Sequence, residues 1–212
     1  MNTLEAIKSR RSIKQFDPNF QMTSFEKEQL ISLAMLSPTA FNAQNWRFVI
    51  VSDTNLRNKI SKAAYGQPQV TDSSLLIILC ADLKAWNKAP SRYWKNAPKE
   101  AQDYVLPVME DYYKNNPQVQ RDEAMRSCGI AAQTLMLAAK SMGYDSCPMI
   151  GFDFNEVAKL IKLPEDHVIS MFVTIGKAMK EAWNRPGQLD LNDIRVADMF
   201  NHQGALEQCP EC

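Results

Sequence analysis

Three short stretches of this chain concentrate the side chains best suited to chemistry. The first is Ser9-Arg10-Arg11-Ser12-Ile13-Lys14. In an extended backbone alternate side chains share a face, which would space Arg10, Ser12 and Lys14 at roughly 6.5 Å intervals. A guanidinium, a hydroxyl and an ammonium in that order suit an elongated anionic ligand, with arginine on a phosphate. The same run also reads as a solvated basic surface. The second stretch, Ser37-Pro38-Thr39-Ala40-Phe41-Asn42-Ala43-Gln44-Asn45-Trp46, crowds small hydroxyl and amide residues into a loop ending in an aromatic. Such loops can hydrogen-bond the edge of a planar heteroaromatic, or simply connect a helix to a strand. In the third, Cys147-Pro148-Met149-Ile150-Gly151-Phe152-Asp153, proline removes one amide and glycine permits close approach. Backbone there can lie flat against a ligand.

The missing residue types narrow the chemistry further. The seven glycines are scattered and no two are spaced Gly-x-Gly, so neither a Rossmann dinucleotide turn nor a P-loop is present. A phosphorylated cofactor would have to be held by side chains. His167 and His202 are the two histidines, too few for a histidine-based zinc site or a catalytic triad. Cys209-Pro210-Glu211-Cys212 is half a zinc site at best and reads as a frayed tail with two thiols. Cys80, Cys128 and Cys147 sit in apolar surroundings and read as small buried hydrophobes in a reducing compartment.

These stretches must be positioned by a fold of ordinary size. The 212 residues, 45% hydrophobic and 23% charged with no net charge, suit a soluble domain and argue against a nucleic-acid or membrane partner bound mainly by charge. No apolar run is long enough to span a bilayer. The polar start, Met1 to Arg11, reads as no signal peptide, and the cytoplasm is the expected compartment. Helices are predicted at residues 3–8, 54–64, 99–114, 121–142 and 155–163, with another opened by the capping box Thr23-Ser24-Phe25-Glu26 and ended before Pro38. That helix carries Leu30, Leu33 and Ala34. Residues 10–16 are predicted extended, and strands at 47–51, 75–81 and 168–175. The helix at 121–142 is apolar nearly all round from Cys128 to Ala139, which predicts burial on most sides, with Gly143 as its stop. A sheet covered on both faces by helices, with one long helix in the middle, fits this order. Residues 1–200 form one expected domain, residues 85–117 a helical excursion rich in Trp, Tyr, Lys and Pro, and residues 201–212 a tail.

Taken in order and at these distances, Arg10-Arg11-Ser12-x-Lys14, Ser37-Pro38-Thr39-x-x-Asn42-x-Gln44-x-Trp46 and Pro148-x-x-Gly151-Phe152 resemble the nitroreductase family of FMN enzymes. The likeness runs from about Leu4 to Arg185. It implies an α+β, three-layer α/β/α fold with a mostly antiparallel central sheet, a long buried central helix and domain-exchanged termini. It further implies a homodimer with FMN at the subunit interface and NADH or NADPH as co-substrate. Arg10 and Ser12 would hold the phosphate with help from Arg11, and Lys14 would sit by the pyrimidine end of the ring. Pro38, Thr39, Ala40 and Asn42 would close over the cofactor from the other subunit. Gln69 would contact the ring, Pro148, Met149, Ile150 and Gly151 would lie along it near N5, and Arg185 would return to the phosphate. No side chain need act as acid or base, because the flavin carries the chemistry. The implied activity is hydride transfer from the nicotinamide to nitroaromatics, quinones or similar small acceptors by a ping-pong cycle. Aromatic residues of the excursion, among them Trp86, Tyr93, Trp94, Tyr112 and Tyr113, would shape the acceptor pocket or pack a surface subdomain. The alternatives are a dehalogenating or flavin-destroying enzyme on the same scaffold, and a flavin-free helical interaction protein. This sequence departs from the family in having Asn45 where proline is common, Ile150 where some members carry glutamate, and Gly187-Gln188 where a second basic residue often follows the late arginine.

Overall fold

The computed structural model describes residues 1–200. They divide into a body, Met1–Ala182, and an arm beginning at Trp183. Two capping boxes start the body. Asn2 opens α1 (Thr3–Ser9) by exchanging hydrogen bonds with Glu5, and Thr23 opens α2 (Ser24–Ala34) by exchanging them with Glu26. Each exchange satisfies two helix-end amides that would otherwise lack partners. Glu26 also accepts the hydroxyl hydrogen bond of Tyr144, which ties the start of α2 to the segment after the long helix.

The sheet has four strands, β1 (Trp46–Ile50), β2 (Leu75–Asp82), β3 (Asp145–Met149) and β4 (His167–Gly176), in the order β1-β2-β4-β3. Every pairing is antiparallel. The unbroken apolar run of β2 reflects cover on both faces. Leu75, Ile77, Leu79 and Ala81 pack with α2 and with α6 (Pro117–Ser141), which begins four residues earlier than the sequence suggested. Pro117 at its first turn and the side chain of Asn116 as cap account for that start. Leu76, Ile78 and Cys80 turn the other way, onto Ile60 of α3 (Thr54–Ala63) and Val157 of α7 (Phe154–Leu160). Each fully buried Leu or Ile here contributes about 1.5–3 kcal/mol. A register shift between Leu79 and Cys80 leaves one extra residue on β4 and carries Ile169 to the α3–α7 side.

β3 was not legible as a strand. Asp-Ser-Cys-Pro-Met lacks alternation and contains a proline, which a sheet tolerates at its edge, and β3 lies at one edge. Residues 10–16 run extended outside it, with Ser12 bridged to Ser146 and Phe16 to Ala178.

α6 is less enclosed in one chain than its composition suggested. Its buried residues form a stripe, including Ala124, Cys128, Ala131, Leu135 and Ala139, whereas Ile130 is 43% exposed. Gly143 ends it at φ 80°, a conformation that favours glycine. Between β2 and α6 lies the excursion, comprising two short 3₁₀ turns, α4 having come earlier (Gln69–Asp72), and then α5 (Lys99–Tyr113). It has a small core of its own, formed by Trp86, Met109 and Tyr113 with Ala43. Cys80, Cys128 and Cys147 are all buried free thiols, and burial raises the first two to about 12. Among the described residues no helix is long and apolar enough to cross a membrane. His202 and the Cys209/Cys212 pair lie outside the described residues.

Candidate active site

Most of the sequence-derived site lies along β3 and the turn after it. The amide of Ile13 donates to the Ser146 carbonyl (3.1 Å), clipping the basic ladder to β3. Ile13 is buried between Ser12 and Lys14, which are exposed, so the alternation expected for an extended chain holds here. The Lys14 ammonium donates to Cys147 Sγ at 3.6 Å. Arg10 and Arg11 precede these at half-buried positions. Beyond the strand, Ile150 is 70% exposed, whereas the Met149 side chain turns into the core at 5% exposure. Met149 can therefore offer the site only backbone. Among the described residues no backbone carbonyl receives the amides of Ile150 or Gly151.

Gln67, which the sequence reading passed over in favour of its neighbour, holds this turn. Its Nε2 donates to the Gly151 carbonyl at 2.7 Å and to the Ala64 carbonyl at 3.1 Å. A Cβ at position 151 would lie 3.4 Å from that nitrogen, within ordinary van der Waals contact. The Asp153 amide adds a second tie to the end of α3, donating to the Ala63 carbonyl. Tyr65 and Gly66, both at positive φ, turn the chain from α3 towards Gln67 and Gln69. Gln69 opens α4 and is 3% exposed.

Pro38, Thr39, Ala40 and Asn42 are elsewhere. They lead into Trp46, which pairs with Ala81 at the far end of β2, whereas Ser146 lies opposite Ile175 and, through it, Leu75. Three strand spacings, about 14 Å, separate β1 from β3 across the sheet. Along it Ser146 lies about 20 Å from the level of Trp46, whereas Met149, opposite Phe172 and through it Ile78, lies about 10 Å from it. One chain thus holds the basic ladder and the 38–42 loop at diagonal corners of the sheet. The loop at the second corner is strained, with Phe41, Asn42 and Gln44 at φ 53°, 53° and 44°. Such left-handed non-glycine residues cost about 1–3 kcal/mol each, and side-chain hydrogen bonds offset that. Thr39 Oγ1 accepts the Gln44 amide (3.0 Å), and Gln44 Nε2 donates to Asn42 Oδ1 (3.2 Å).

An ion cluster anchors the excursion beside this corner. Asp82, 3% exposed, accepts from Arg47 (3.1 Å) and from Lys88 (3.0 Å), and Lys88 also donates to Asp166 (2.5 Å). His167 Nδ1 lies 2.6 Å from Asp166. Asp82, Asp166 and His167 are close enough to share a metal ion, but Lys88 and Arg47 already supply the cations that balance these carboxylates. No sequence signal joins residues 47, 82, 88 and 166.

With the fold in place, the comparison with known proteins is specific. The pattern of the nitroreductase family matches residues 7–177. Protein DrgA of Synechocystis sp. is 49% identical over 199 residues, covering 92% of this chain and 95% of DrgA. The chain belongs to the nitroreductase family. Membership makes it an enzyme of the oxidoreductase class. The chain is also 33% identical over 198 residues to YodC of Bacillus subtilis, an NAD(P)H nitroreductase by name, with 91% and 97% of the two chains covered. Among solved structures, a nitroreductase from Exiguobacterium sibiricum in complex with FMN matches with a TM-score of 0.86 at 28% identity, covering 93% of this chain and 97% of that one.

Two further features of the nitroreductase chain bear on its site. A cleft of about 1130 Å³ runs along β1, lined by Ile31, Trp46, Phe48, Tyr93, Trp94 and Asn42 among others. β1 is the other edge of the sheet, and among the described residues no strand pairs with its outer side. Arg185 is exposed and belongs to the arm.

Proposed function

We propose that this protein is an FMN-dependent NAD(P)H oxidoreductase that reduces nitroaromatics, quinones or similar small acceptors. What supports it is the Lys14 ammonium beside Cys147 of β3, the Ile150 and Gly151 amides just beyond that strand, which no backbone carbonyl of the described residues receives, and Gln69, two residues after the Gln67 that binds the Gly151 carbonyl. A cation, an amide side chain and backbone donors fit a flat ring that is rich in acceptors and gains negative charge on reduction. The ladder beside them fits the phosphate. Arg10 and Ser12 would hold it with Arg11, and Arg185 is the late basic residue that would join them. Pro148 and Met149 would contribute backbone along the ring, next to Ile150 and Gly151.

Bound FMN would supply the hydride-accepting chemistry, so the chain's own residues bind, orient and tune. Lys14 would stabilise negative charge at the pyrimidine end, and Gln67 would hold the Gly151 peptide so that the amides face the ring. NADH or NADPH and the acceptor would use the same face in turn. Pro38, Thr39, Ala40 and Asn42 of a second copy would close the site, since one chain separates its halves by the width of the sheet. A homodimer with exchanged termini follows, in which the arm of one copy runs along the open β1 edge of the other and residues 1–200 act as one domain. The apolar side chains of that arm, Trp183 at 91% exposure and Phe200 at 87%, favour such cover.

The test is an absorbance spectrum of the purified protein followed by anaerobic titration with each nicotinamide. Flavin bands bleached by NADH or NADPH and restored by a nitroaromatic are expected. A reduced enzyme inert to nitro compounds and quinones would move the activity to another branch of the family, and a colourless protein that takes up no FMN would remove the flavin altogether.

A further inference from the structure

We propose that Trp94 is a positioning residue that holds the 39–44 loop in the conformation required over the cofactor, which makes the excursion and that loop one mechanical unit. Its role at the flavin rests on the assignment of Thr39, Ala40 and Asn42 made above. The loop needs an external brace because Phe41, Asn42 and Gln44 all adopt left-handed backbone. An asparagine tolerates that region, whereas a phenylalanine does so only when its surroundings enforce it.

The enforcement comes from the excursion, by a reciprocal exchange. The Trp94 indole N–H donates to the Phe41 carbonyl at 2.9 Å. The Asn42 side-chain amide donates to the Tyr93 carbonyl at 2.8 Å. Each segment thus lends one side-chain donor to the other's backbone, the logic of a capping box applied between two loops. On its other side the Phe41 ring meets Tyr112 at 5.3 Å and Tyr113 at 6.0 Å between centroids, both at the end of α5. Indole nitrogen is a donor only, so Trp94 has one polar task and Phe41 receives it. Trp94 is half-buried and lines the open cleft, so its ring is not merely core filling.

Trp94→Phe keeps the ring and deletes the donor. Trp86→Phe is the control. Trp86 belongs to the core of the same excursion, stacks on Tyr113, and its buried Nε1 has no hydrogen-bond partner. In FMN-free protein, hydrogen exchange at the amides of residues 41–44 is expected to quicken about tenfold in W94F, the size of effect that one lost hydrogen bond gives, and to stay unchanged in W86F. In titrations followed by flavin fluorescence, W94F is expected to bind FMN about fivefold to tenfold more weakly, with W86F matching the wild type. Equal exchange in W94F and wild type, or equal loosening in both variants, would overturn the brace whatever the flavin data show. Quickened exchange with unaltered FMN affinity would overturn its role at the cofactor. A wild-type chain that takes up no FMN would overturn that role together with the functional assignment, leaving the exchange result to judge the brace alone.

Discussion

A single guanidinium carries much of the proposed phosphate grip. Arg10 is half-buried in the ladder clipped to β3, and a charge-assisted hydrogen bond is worth about 1.5–3 kcal/mol. Arg10→Ala is therefore expected to weaken FMN binding about 10- to 100-fold while circular dichroism shows the fold intact. Unchanged affinity would take Arg10 out of the site. Lys14 is proposed to act on the other end of the cofactor. With its ammonium held by Cys147, Lys14→Met should lower the midpoint potential of bound flavin, because the anionic reduced form loses its nearest cation. A spectroelectrochemical titration measures that shift, and a potential that stays or rises would exclude the assignment. Gln67 shows what residue-type reasoning misses. Its importance lies in a 2.7 Å contact with a carbonyl 84 residues away, and the only hint was its place in Gly66-Gln67-Pro68-Gln69.

At the scale of elements, the sheet and the excursion are secured by different forces. β4 is apolar and central, and Phe172 stacks on Phe152 with ring centroids 3.8 Å apart. Phe172→Ala should cost about 3–5 kcal/mol in a urea titration. The excursion instead hangs on the ion cluster, and its hold should depend on acid. The Lys88 hydrogen bond, then that of His167, lowers Asp166 from its usual 3.8 to about 2. A carboxyl depressed in the folded state stabilises above its ordinary value, and that contribution is lost as pH falls through the depressed one. Tryptophan fluorescence from Trp86 and Trp94 should thus report loosening as pH drops from 3.8 towards 2. In Asp166→Asn the signal should already be loosened at neutral pH and flat across this window. A wild-type signal that is level throughout would show the latch to be unimportant.

At the scale of the molecule, the proposed split site needs a second chain. α1 and α2 both pack on α6, and these helices with the segment after α2 expose Leu4, Ile7, Leu33, Leu36 and Ile130. An apolar surface on three neighbouring helices is what an obligate partner would cover. Ile130→Glu is expected to give monomers in sedimentation velocity and to release FMN in the same preparation. A monomer that retains FMN at wild-type affinity would show that one chain suffices and would end the split-site account.

The sequence by itself determined the elements and the residue types. Capping boxes, the seven-residue run of β2 and the period of α6 are local signals, because hydrogen bonding at helix ends and burial on two faces leave their mark within a few residues. The three motifs, read in order, pointed to the family, and the family match confirmed it. Only the tertiary structure decided which motifs meet. That Pro148 sits in an edge strand, that Gln67 reaches Gly151, that Lys88 binds carboxylates from β2 and from the turn before β4 and that residues 38–42 lie a sheet's width from residues 10–14 all depend on register and strand order. These arise from contacts between segments far apart in the chain, where spacing along the sequence carries no information about distance in space.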